Sequence, residues 1–170
     1  MYLPTTQAEA IAATPVAAGE WTRFFRVARQ HDLDCLSATF RVHVYAPHSH
    51  DTFVVGVIEA GCEEFTLRGE RRRAGPGDLC FVNPGEVHDG APAGDGYAYR
   101  MTYPCAALLG EIAADLAERP IRGSLCFREP VVADPDLAAR LAAAHRSLET
   151  PKAALEGDER LHRVYAALLA

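Results

Sequence analysis

The chain has 170 residues, with 17 Lys plus Arg against 23 Asp plus Glu and a net charge of −6, which suits one domain with a sound buried core. That acidic balance argues against a nucleic-acid surface spread over the chain, because phosphate binding needs clustered cations. The five cysteines, Cys35, Cys62, Cys80, Cys105 and Cys126, are scattered without a Cys-x-x-Cys pair that would suggest zinc or redox chemistry, and fit a reducing, cytoplasmic setting.

Residues 1–20 lack a basic n-region and a continuous apolar core, and no later run approaches the roughly 18 apolar residues of a membrane span. Neither export nor a membrane partner is expected. Rich in Ala, Thr and Pro, these residues read as an N-terminal arm whose conformation depends on what it touches. From Trp21 to about Tyr103, short runs of Val, Phe, Tyr, Thr and Ile alternate with Gly, Pro and Asp turn signals. Strands are expected at 33–45, 52–59, 62–68, 78–83 and 97–103. Closely spaced short strands make this a mainly β block, a sandwich or small barrel. The only dense basic run, "RGERRR" (68–73), suits a solvated hairpin whose charges guard a sheet edge.

After Pro104 the composition shifts to Ala and Leu. A helix is expected near 105–118, ended by Pro120 and Gly123, followed by a strand or extended return from Phe127 to Val132. Asp134 is a natural N-cap and Pro135 suits the first helical position of an amphipathic helix. That helix carries Leu137, Leu141, His145 and Leu148 at three- and four-residue spacing. These side chains suit either ordinary core against the β block or the seam of an antiparallel helix pair between two subunits. Pro151 breaks the helix, and Leu155, Leu161, Val164 and Leu168 mark a last one. Its apolar end, with no glycine or basic last turn, leads us to expect a further domain after Ala170.

The chemistry is concentrated in the histidines. His48 and His50, one residue apart at the head of an apolar run, point the same way in an extended strand. His88 follows the "NPGE" turn (83–86). A barrel that brings the three together aims three imidazoles at one interior point, a site for a divalent transition metal (Zn, Ni or Fe) or a polar anchor for a small ligand. Glu86, on the same face of an extended stretch as His88, is a candidate fourth ligand. Tyr99, Arg100 and His43 are candidate ligand contacts, with an ion pair the alternative for Arg100 and core packing for the tyrosine.

His48-x-His50 followed by Gly61, then Gly77 and "PGEVH" (84–88), resemble the two motifs of the cupin barrel, although Val54 stands where the glutamate ligand of that motif falls. The longer run "HSHDTFVVGVIEAGCEEFTLRGERRRAGPGDLCFVNPGEVHDG", with "YRMTYP" and "FREPVVADPDLAARLAAAH" after it, resembles the sensor domain of AraC-type bacterial transcription regulators over roughly residues 20–170. The resemblance implies a cupin-type barrel followed by helices. It divides the chain into an arm (1–20), an effector-binding barrel (21–132) with a helix inserted near 105–118, and a helical dimerisation segment leading to a linker (133–170). It further implies a small-molecule effector, for which His43, His48, His50, His88, Tyr99 and Arg100 are the candidate contacts, and favours a homodimer, for which Leu137, Leu141, His145 and Leu148 are the candidate seam; no cofactor is expected to be required. DNA contact then comes only through a C-terminal helix-turn-helix domain outside these residues, and the chain is not an enzyme. The competing expectation is a small metal-dependent cupin enzyme, a dioxygenase or isomerase.

Overall fold

The computed structural model describes Glu9, residues 16–120 and residues 123–170; the expected arm falls largely outside that range. Within it lie β1 (Trp21–Val27), β2 (Leu33–Phe40), β3 (Tyr45–His48), β4 (Val54–Leu67), β5 (Glu70–Ala74), β6 (Asp78–Val82), β7 (His88–Tyr103), α1 (Ala106–Ala117), β8 (Val131–Ala133), α2 (Pro135–Leu148) and α3 (Ala154–Leu169). All strand pairs are antiparallel, in the order β1-β2-β7-β4-β6-β8, with β3 on β7 and β5 on β4. The expected mainly β fold followed by helices is the one the chain adopts.

Several strands differ from the sequence pattern, among them the expected strand 33–45, which ends at Phe40 before β3 begins at Tyr45. β1 was not expected; it pairs along its whole length with β2. The expected strands 52–59 and 62–68 are one 14-residue strand, β4. β7 runs for 16 residues, where only its last seven were expected. Its first half, "HDGAPAGDG", carries turn residues, yet β3 and the second half of β4 offer it ladder partners. Those partners outweigh local propensity. The basic run behaves as expected: Arg71 and Arg73 both pair with Glu64 on exposed ground where β5 meets β4.

Alternation along the strands creates two cores. Inward side chains such as Leu36, Phe40, Ile58, Tyr99 and Tyr103 fill the barrel. Outward ones such as Val55, Val57, Leu79 and Phe81 meet the helices in a second core. β4 changes parity on the way. Val54 and Ile58 lie inside, but so do Glu63, Phe65 and Leu67 further along. Register shifts between Ile58 and Ala60 and between Gly61 and Glu63 produce the switch, since one inserted residue turns every later side chain to the other face. Gly61, which reads as a turn glycine, sits in this bulge with φ +71°, and a Cβ there would lie 2.0 Å from the carbonyl oxygen of Gly96.

Asp134 caps α2 as expected, its carboxylate accepting from the Leu137 amide at 2.9 Å. The structure places most of the side chains expected at a dimer seam inside the protomer. Leu141, His145 and Leu148 are buried inside the protomer with Leu161, Val164 and Tyr165 of α3, and Leu137 packs against the same core. The alternative, ordinary core, is the observed one, because α3 folds back over the face that a partner helix would need. The Tyr165 hydroxyl locks α3 down by donating to Thr102 Oγ1 at 2.8 Å, and that hydroxyl donates in turn to the Val55 carbonyl.

Candidate functional site

The interior of the barrel is not completely filled. A partly open cavity of about 50 Å³ lies between β3, β4, β6 and the two halves of β7. His48, His50 and His88 stand at one side of it, each offering one ring nitrogen, and the three atoms lie within 4.8 Å of one another. β3 supplies His48, the turn after it supplies His50, and β7 supplies His88, which pairs directly with His48 in the ladder. The ring centroids are 4.4 Å apart for His48 and His88 and 4.8 Å for His48 and His50.

Backbone carbonyls orient two of the rings. His48 Nδ1 lies 2.7 Å from the Ala46 oxygen and His88 Nδ1 lies 3.1 Å from the Glu86 oxygen. Donation from Nδ1 leaves Nε2 as the lone-pair nitrogen of each ring, which is how second-sphere bonds set a ligating tautomer. His48 Nε2 is buried and has no protein hydrogen-bond partner. Burial lowers the pKa of His48, and burial together with the neighbouring imidazoles pushes His88 down to about 3. These two rings are therefore neutral at neutral pH, the form that binds metal. Two nitrogens on one tetrahedral zinc ion are about 3.3 Å apart, so modest ring rotations close the set. The donors suit a divalent transition metal.

Glu86 lies outside the cluster. Although partial burial opposes ionisation, the hydrogen bond from Arg68 Nε at 2.7 Å and that from the Asn83 amide hold its carboxyl below the usual range. Arg68 also donates to the carbonyls of Phe127 and Arg128. Glu86 thus pins the 83–86 turn to the strand return and does not reach the imidazoles.

Tyr99 lines the cavity, its hydroxyl 2.9 Å from that of Tyr45. Arg100, the next residue on the same strand, must face the other way. Its guanidinium bonds Glu59 at 2.9 Å and Glu149 at 2.5 Å on the outer face, so its alternative role as an ion pair is the observed one. His43 is 2 % exposed and stacks on Phe40 with centroids 4.4 Å apart, behind the cavity and outside its lining.

The structure adds lining residues that the sequence pattern left out: Tyr45, Glu63, Phe65, Met101 and Tyr103. Glu63 is the least expected. Strict alternation from Val54 would place it outside, and only the bulge at Gly61 turns it in. Burial pushes its carboxyl up to about 8, with the nearby Tyr97 phenol opposing the rise and the Asp89 charge adding to it.

Comparisons with solved structures return cupins. An oxalate decarboxylase from Bacillus subtilis is 16 % identical, with the match covering 55 % of this chain and 27 % of that one at a TM-score of 0.47. A cupin-like protein from Thermotoga maritima is 18 % identical over 52 % of this chain and 71 % of its own, TM-score 0.46. KdgF from Halomonas sp. is 23 % identical over 60 % and 94 %, TM-score 0.44. Comparison with curated proteins finds no match. Residues 30–164, well over half of the chain, match the AraC-like ligand binding domain. The chain belongs to the family of AraC-like ligand binding domains.

Proposed function

We propose that the chain is the effector-sensing domain of a cytoplasmic AraC-type transcription regulator, acting as a homodimer and controlling DNA binding by a C-terminal helix-turn-helix domain outside these 170 residues. The observation that carries this reading is the barrel cavity with three imidazoles converging on its wall. His48, His50 and His88 would hold a divalent transition metal, which when bound supplies a Lewis acid for an oxygen or nitrogen of the effector. Dimerisation would use surfaces other than Leu141, His145 and Leu148, which the protomer itself buries. No helix among the described residues is long and apolar enough to cross a membrane.

A response to the effector needs an element whose arrangement depends on occupancy. The last half of β7 supports such a link. Tyr99, Met101 and Tyr103 face the cavity, while Arg100, between them, grips Glu149 just beyond the end of α2. Arg146 of α2 bonds Glu59 of β4, which also takes Arg100. A ligand that displaces the inner side chains of β7 therefore moves the anchor of α2. DNA-binding anisotropy of the intact regulator, with and without a cavity ligand, tests this. The ligand should change DNA affinity in the wild type, and Arg100→Ala should keep ligand binding while losing that change. DNA affinity indifferent to an occupied cavity would refute the reading.

The three-imidazole donor set also suits a small metal-dependent cupin enzyme. The discriminating measurement is the fate of the ligand on prolonged incubation with the metal-loaded protein. A sensor returns it intact, whereas an enzyme consumes it.

A further inference from the structure

The chemistry of the cavity wall narrows the class of ligand, on the reading that this cavity is the effector site. Two lining side chains are acids, Glu63 and Asp89, and no lining residue is Lys or Arg. The Asp89 carboxylate already accepts the Thr66 amide at 2.5 Å and stands at the half-buried mouth. Glu63 is deeper, only 8 % exposed, with the phenol of Tyr97 beside it. A buried carboxyl with no cationic neighbour is costly to ionise.

The fold nonetheless holds this carboxyl in place by two separate devices. The bulge at Gly61 turns residue 63 inward. On the adjacent strand β7, Gly90 leaves the space the carboxyl occupies, since a Cβ there would lie 2.8 Å from Glu63 Oε1. Around the remaining volume stand the rings of Tyr45, Phe65, Tyr99 and Tyr103. Aromatic faces and a buried carboxylate are the two groups that attract an organic cation in a desolvated site. With the triad free of metal, an anionic ligand would meet two acids with no counter-charge. A neutral one would offer protonated Glu63 only a hydrogen bond, whereas an ammonium ion supplies the charge that its ionised form lacks.

We propose that the cavity takes a small organic ammonium ion, with its charged head against the carboxylate of Glu63 and its carbon skeleton against the tyrosine and phenylalanine rings. Glu63 lines the same cavity as the imidazole triad but is not among the groups whose ligating atoms cluster with the histidines. Binding then ionises Glu63, whose carboxyl is largely protonated at neutral pH in the empty cavity.

The test uses the full chain, freed of metal by chelation, titrated by NMR at neutral pH with ethylammonium, ethanol and acetate. These probes are of nearly one size and are a cation, a neutral molecule and an anion. Ethylammonium should bind at least about tenfold more tightly than either of the others, and Glu63→Gln should lose at least about tenfold of that affinity. Zinc binding at the triad should be the same in wild type and E63Q. In the wild type, the 13C resonance of the Glu63 carboxyl should move from its protonated to its ionised position as ethylammonium saturates the site. That readout decides the matter even if E63Q folds poorly. Equal or tighter binding of ethanol or acetate, undiminished affinity in E63Q, or a carboxyl resonance unmoved at saturation overturns the ammonium assignment while leaving the cavity as an effector site. Failure of all three probes to perturb the cavity overturns both.

Discussion

Arg100 Nη1 and Glu149 Oε1 meet at 2.5 Å, joining the barrel's longest strand, near its C-terminal end, to the residue after helix α2. His145, fully buried, places Nδ1 3.2 Å from both. The hydrogen bond from His145, together with the charge of Arg100, lowers the Glu149 carboxyl to about 2 despite its partial burial. A folded-state pKa below the usual 4.5 means that this stabilisation is complete above about 4.5 and fades as the pH falls towards 2. Glu149→Gln should cost about 2 kcal/mol at neutral pH and flatten the acid limb of the stability curve. Urea unfolding from neutral pH down to about 3 measures both.

Zinc should raise the Tm of the chain without being needed for folding. At a free concentration one hundred times its dissociation constant the gain is about 2.7 kcal/mol. His48→Ala removes the ring whose Nε2 is buried without a partner and should abolish the gain, whereas Glu86→Gln should leave it intact. Differential scanning calorimetry with and without the ion separates the two variants, and a zinc response that survives in His48→Ala would move the metal elsewhere.

Leu141 is 1 % exposed between the sheet and α3. Leu141→Ala should therefore cost about 2–5 kcal/mol in unfolding free energy, as a cavity in a packed core does. Sedimentation at a concentration where the variant is folded should show the same association state as the wild type, because this side chain is buried within the protomer. A variant of unchanged stability and altered association would contradict the packing.

Gly61→Ala tests the bulge. With φ +71° and the Gly96 oxygen 2.0 Å from the new methyl group, the substitution should cost at least about 2 kcal/mol. If the bulge relaxes, Glu63 swings out of the barrel and its carboxyl returns towards the ordinary range. NMR titration of the Glu63 side chain follows this directly.

Much of the fold was legible in the residues themselves. The two histidine motifs, the Gly and Pro turns between β-branched runs and the Asp134-Pro135 helix start each act through neighbours within a few positions, so local chemistry settles them. The triad was legible for the same reason at His48 and His50, and the turn before His88 completed it. Glu63 and Arg100 were not. Which face a strand residue presents depends on where the ladder slips, and the slip at Gly61 is set by the backbone of Gly96, some thirty-five positions away in the chain. Leu141, His145 and Leu148 were ambiguous for a related cause. An amphipathic stripe demands an apolar partner without naming it, and only the return of α3 over α2 assigned that stripe to the chain's own core.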